Sequence, residues 1–155
     1  VELLAKVLTV SDSVAGGRRE DRSGQALADR LAGAGFEVVE RRVVADGVEP
    51  VAGALRELCQ DFTGLVVTTG GTGFAPTDLT PEGTSAVLDR AAPGLAAAMT
   101  GADPKGRLSR GVAGTVGTAL VLNTPGSPQG AVESLEAVLD VVPHALDLLA
   151  GGHPH

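Results

Sequence analysis

Three glycines in four residues, Gly70, Gly71 and Gly73, follow directly on the short apolar run Leu-Val-Val-Thr-Thr and enclose Thr72. Glycine reaches positive φ without a Cβ clash, so such a loop can turn successive backbone N–H groups inward as an anion nest. Thr69 and Thr72 add hydroxyl donors at its rim. The chemistry that suits this pattern is phosphate binding, helped by the positive end of a helix opening near Pro81. A plain glycine turn after a buried strand has the same pattern. The loop is not a Walker A loop, because no Gly-Lys-Ser/Thr follows, and it does not match the G-x-G-x-x-G dinucleotide fingerprint.

Asp78 lies five residues beyond Gly73. A carboxylate beside a phosphate nest is repelled unless a cation sits between them, which makes Asp78 a candidate Mg2+ ligand. An aspartate that opens a helix has the same signature. Asp46 follows a second strand-like segment and could share the metal from the same rim, although Asp-Gly is also a common turn. Ser11 and Asp12 end the first strand, either as turn residues or as rim ligands. In the 123–128 segment, Asn123 and Ser127 could hydrogen-bond a heterocycle or close a turn; Pro125, Gly126 and Pro128 complete that segment. Ser109 and Arg110 form an anion-binding candidate or an exposed pair. His144, His153 and His155 have no carboxylate or cysteine at metal-ligand spacing and read as structural or solvated. Cys59 falls on an apolar helix face and reads as a core residue.

Alternating strands and helices must position these groups. Residues 4–10, 37–44 and 64–69 have strand composition, and 64–69 reads as buried on both faces. A helix is expected over 23–34, stopped by glycines. The clearest helix starts near Pro50, with Val51, Leu55, Leu58, Cys59 and Phe62 on one face. Thr80-Pro81 reads as an N-cap and first-turn proline, and Pro93-Gly94 as an interruption before a short helix over 95–99. Residues 112–116 and 118–122 read as two strands of a hairpin about Gly117. Ser127 is expected to cap a last helix that Pro143 kinks or splits. This order implies an α/β fold: a three-layer α/β/α sandwich with a mostly parallel sheet and a short antiparallel hairpin. In such sheets ligands sit beyond the carboxyl ends of the strands, where the 11–24, 70–81 and 123–128 loops lie.

The 155 residues suit one domain over 1–155, and 43% hydrophobic residues supply a core of Val, Leu and Ala. A net charge of −7 argues against general nucleic-acid binding, and the lack of Trp and Tyr removes a stacking platform for bases. The single cysteine excludes an internal disulfide. No run approaches a membrane span, and residues 1–10 carry Glu2 and Lys6 without a cleavage pattern, so a cytoplasmic protein is expected.

Taken together, Thr-Thr-Gly-Gly-Thr-Gly (68–73), Asp78-Leu-Thr-Pro-Glu82, Leu-Ser-Arg (108–110) and Asn-x-Pro-Gly-Ser-Pro (123–128) resemble the Mog/MoaB family of molybdenum cofactor biosynthesis and the gephyrin G domain. The resemblance extends back through Val-Ser-Asp (10–12) and Asp21-x-Ser-Gly24. It implies a molybdopterin adenylyltransferase that moves AMP from ATP to the terminal phosphate of molybdopterin and releases pyrophosphate. It implies Mg2+ at Asp46 and Asp78, the family's essential carboxylates. Gly70–Gly73 would hold phosphate or pterin-phosphate groups, and Ser11, Asp12 and the 123–128 loop would line the pterin and nucleotide pockets. It further implies a homotrimer and a downstream molybdate insertase. Thr124 stands where many relatives carry Leu and reads as packing. Two other readings stay open: a molybdopterin carrier or scaffold without turnover, and a CinA-type nucleotide hydrolase domain, which usually has Leu at the Thr72 position and paired aspartates after the loop.

Overall fold

The computed structural model describes residues 1–102 and 104–152; the readings made for His153 and His155 lie outside them. The chain begins with β1 (Leu4–Val10), a one-turn α1 (Asp12–Ala15), α2 (Arg22–Gly33), β2 (Glu37–Val44) and α3 (Val48–Cys59). It continues through β3 (Gly64–Thr69), α4 (Thr80–Ser85), β4 (Arg90–Ala91), α5 (Pro93–Thr100) and a 3-10 turn (Pro104–Leu108). It ends with β5 (Ala113–Val116), β6 (Ala119–Thr124), α6 (Pro128–Glu136) and α7 (Val142–Leu149).

Among the described residues the strands form one six-stranded sheet in the order β2-β1-β3-β6-β5-β4. The first four are mutually parallel, and β5 runs antiparallel to both β6 and β4. The chain steps from β1 outward to β2, then back past β1 to β3. Right-handed crossovers in opposite directions put the two connecting helices on opposite faces. Accordingly, α2 buries Leu27 and Leu31 in one core with Val7, Leu65 and Leu122. The opposite face seats Val51, Leu55 and Leu58 of α3 against Leu8, Val66 and Val121. Adjacent strand residues belong to different cores because side chains alternate across a strand. This reversal between β1 and β3 leaves a crevice at their carboxyl ends, the usual ligand position in open α/β sheets.

The expected hairpin forms, with Gly117 at φ +59° in its turn. β6 runs two residues further than its pattern suggested and takes in Asn123 and Thr124. Thr124 is fully buried and donates to the Thr68 carbonyl at 2.7 Å, so it does pack. The last helix is split, but between Glu136 and Val142, with Pro143 in the first turn of α7. The two-residue edge strand β4 was too short to register as a pattern. Burial pushes the Cys59 thiol up to about 11, in keeping with a packing role. No described helix is long and apolar enough to cross a membrane.

Candidate active site

Asp46 enters the crevice from the turn after β2. Its Oδ2 accepts the Asp12 N–H at 3.1 Å, and the Asp46 N–H donates to Asp12 Oδ1 at 3.0 Å. This reciprocal clasp joins the ends of β1 and β2. Burial raises the Asp46 carboxyl above its ordinary value, the Asp12 N–H opposes that, and the charges of Asp12 and Asp78 add to the rise. Asp78 arrives from the loop after β3, where its Oδ2 accepts the Ala75 N–H at 2.9 Å. The two aspartates that sequence spacing singled out therefore line one cleft, of about 470 Å3. Asp12 does not line it; its carboxylate serves the clasp.

The glycine loop has the positive φ it was expected to need, +100° at Gly70 and +69° at Gly71. A Cβ on Gly70 would run into the Val10 carbonyl oxygen, and one on Gly71 into the Thr80 hydroxyl. The nest is smaller than expected, because the Gly70 N–H is spent on the Thr124 carbonyl at 3.1 Å. The N–H groups of Gly71, Thr72 and Gly73 have no internal acceptor among the described residues. Thr69 lines the cleft, but its hydroxyl donates to the Pro125 carbonyl at 2.7 Å and ties the two loops together.

Ser11 caps α1 and Ser127 caps α6, accepting from Val14 N–H at 3.3 Å and Gly130 N–H at 3.1 Å. A serine hydroxyl that accepts in a cap still has a proton to donate. Both serines line the 470 Å3 cleft. A second cleft of about 530 Å3 opens on the other side of the same ridge, beside Met99, Leu108 and Pro125. Thr72, Gly73 and Ser109 lie there. Gly71, Asp78, Gly126 and Ser127 line both clefts.

Further expectations are corrected. Asn123 does not reach either cleft: it is buried in β6, where its amide donates to Thr68 at 2.9 Å and Thr84 at 3.1 Å and its oxygen accepts from Val112. Every polar atom of that side chain is occupied inside the protein. Arg110 is not a spare anion receptor, since it donates to the Gly73 and Asp78 carbonyls and pairs with Glu82 at 2.6 Å. It fastens the glycine loop to α4. Thr80 is the first residue of α4 rather than its cap, and its fully buried hydroxyl has no partner among the described residues. With six residues, α4 also carries little of the expected dipole.

Sequence reading passed over Arg19, in the loop between α1 and α2, and Arg22, the first residue of α2, which both line the cleft. The signal was present as the charge-rich Arg-Arg-Glu-Asp-Arg run just after the first strand.

Asp46 Oδ1 and Asp78 Oδ1 accept no hydrogen bond among the described residues. Together with the raised Asp46 carboxyl, they form a donor pair that a hard divalent cation would relieve. The described residues hold no group of three or more metal-binding side chains. A cation here would therefore take further oxygens from water and substrate phosphates, as Mg2+ commonly does.

Residues 6–144 match the family model described as "Probable molybdopterin binding domain". A molybdopterin adenylyltransferase from Helicobacter pylori is 36% identical over 154 residues, covering 95% of this chain and 88% of that protein. The crystal structure of the molybdopterin biosynthesis enzyme MoaB from Thermus thermophilus superposes with a TM-score of 0.90 at 46% identity, covering 96% of this chain and 97% of that one. The molybdopterin biosynthesis Mog protein from Mycobacterium ulcerans gives 0.88 at 44% identity, over 95% and 99% of the two chains.

Proposed function

The chain belongs to the molybdopterin-binding domain family, and from that premise we propose that it is a molybdopterin adenylyltransferase. The reaction forms one bond, from a terminal phosphate oxygen of molybdopterin to the α-phosphorus of ATP. It breaks one, from that phosphorus to the bridging oxygen of the departing pyrophosphate. Such chemistry asks a protein for alignment and charge compensation and needs no side-chain nucleophile.

The observation that carries this reading is the ridge of Gly71, Asp78, Gly126 and Ser127 shared by two clefts. Two ligands, one from each side, would meet there with their phosphates adjacent. The polar cleft suits a triphosphate, and the cleft beside Met99, Leu108 and Pro125 suits a flat heterocycle. The free N–H groups of Gly71, Thr72 and Gly73 and the hydroxyl protons of Ser11 and Ser127 would hold phosphate oxygens in line. Asp46 and Asp78 would hold Mg2+, which when bound neutralises phosphate charge. The Asp12–Asp46 clasp and the Arg110 anchor keep the two carboxylates facing one space. A homotrimer and a molybdate insertase that consumes the product belong to the same reading.

The test is to incubate the purified chain with molybdopterin, ATP and Mg2+ and to separate the products by chromatography. Adenylyl-molybdopterin and an equal amount of pyrophosphate are expected. Molybdopterin binding without product would leave a carrier or scaffold. Absence of molybdopterin binding would return the nucleotide-hydrolase reading.

A further inference from the structure

The cleft that holds Asp46 and Asp78 also holds Glu20, so three carboxylates line it. One divalent cation would leave that lining net negative, and a triphosphate would be repelled from it. The cationic side chains lining the same cleft are Arg19 and Arg22, and together they turn the balance positive.

Neither guanidinium forms an ion pair among the described residues, whereas Arg41 is held by Asp21 at 3.0 Å and Arg110 by Glu82. The backbone that carries the free pair is nonetheless well anchored. Arg18 N–H and Arg19 N–H both donate to the Ser13 carbonyl, at 2.8 and 3.3 Å. Asp21 accepts from Thr9, Gly24 and Arg41 at 2.8 to 3.0 Å, which fixes the start of α2. This anchored backbone thus presents to the cleft two guanidiniums that form no ion pair among the described residues. Guanidinium matches phosphate oxygens in a bidentate fork.

We infer that Arg19 and Arg22 form a cationic arm that holds the outer phosphates of a nucleoside triphosphate in this cleft. The inference rests on the adenylyltransferase reading for its substrate, but the arm can be probed with inorganic tripolyphosphate and Mg2+, without nucleoside or molybdopterin. Arg18 is a matched control, since its guanidinium folds back over Gly16 and does not line the cleft.

The experiment measures tripolyphosphate affinity by calorimetry and steady-state kinetics for R18Q, R19Q, R22Q, the R19Q/R22Q double variant, R19K and R22K. The expected result is an affinity loss and a rise in KM for ATP of about tenfold for R19Q and for R22Q. Molybdopterin affinity should be unchanged, the lysine variants should recover part of the loss, and R18Q should match the parent protein. Salt should weaken binding to the parent protein more steeply than to the double variant. If the parent protein turns over but the double variant keeps its KM and tripolyphosphate affinity, the arm is refuted while the adenylyltransferase reading stands. An equal loss in R18Q would also overturn it, by reducing the effect to general surface charge. Arginine-dependent tripolyphosphate binding without adenylyl-molybdopterin formation would support the arm and remove the adenylyltransferase reading.

Discussion

Asp46 and Asp78 share a cleft but differ in electrostatic cost. Asp78 bonds within its own loop, whereas Asp46 is half-buried beside two other carboxylates. The folded-state pKa of Asp46 lies above its ordinary value of 3.8, so the folded state binds this proton more tightly than the unfolded state does. Its stability contribution is therefore best at acid pH and is lost as pH rises from 3.8 through the raised folded value. D46N should remove that loss and raise stability at neutral pH, measured by urea denaturation. It should also cut turnover by about a hundredfold or more. A variant that is both less stable at neutral pH and fully active would contradict both parts. D78N should lose turnover to a similar degree with its melting temperature nearly unchanged; near-normal turnover would remove Asp78 from the proposed cation site.

The glycine loop works as an element because both of its ends are tied. Its start is fastened to β6 through the Gly70 N–H, and its far part to Arg110. G71V puts a β-branched side chain at φ +69°, against the Thr80 hydroxyl and 3.3 Å from Asp46 Oδ1. The expected cost is about 1–3 kcal/mol of stability, with ligand affinity lost; calorimetry with ATP and Mg2+ reads the second effect, and unchanged affinity would deny the loop its role. Arg110 holds the Glu82 carboxyl below its ordinary 4.5, so this anchor persists above that value and weakens as pH falls through the depressed one. R110Q should speed amide exchange across 73–78 and raise KM, while the melting temperature shifts by no more than a few degrees. Protection equal to the parent protein's would show that the loop stands without its anchor.

At the scale of the whole molecule, the sheet separates two apolar cores. Leu65 lies fully buried in one and Leu55 in the other. Each leucine-to-alanine change should cost about 2–5 kcal/mol. Because the sheet stands between them, the double variant should equal the two single losses to within about 0.5 kcal/mol. A larger discrepancy in denaturation would mean that the two cores are coupled through the strands. The same sheet holds the crevice open: β1 and β3 are neighbours in space although β2 lies between them in sequence.

The chain's own sequence determined the parts that depend on neighbouring residues. The apolar periodicity of α3, the Ser127 cap, the strand feeding Gly70–Gly73 and the hairpin about Gly117 are short-range patterns with short-range causes. Asp46 and Asp78 could be placed at the cleft because one closely follows a strand end and the other lies in the loop that the glycines open. Tertiary structure decided which polar groups face ligand and which face core. Strand pairing turned Asn123 toward Thr68 and Thr84, 55 and 39 residues away, and so removed it from the ligand loop. It spent Arg110 on carbonyls 37 and 32 residues distant and left Arg19 and Arg22 at the cleft without an ion pair among the described residues. The physical reason is that a polar side chain's role depends on its partners. In a sheet those partners are set by strand order and register, which local composition does not encode.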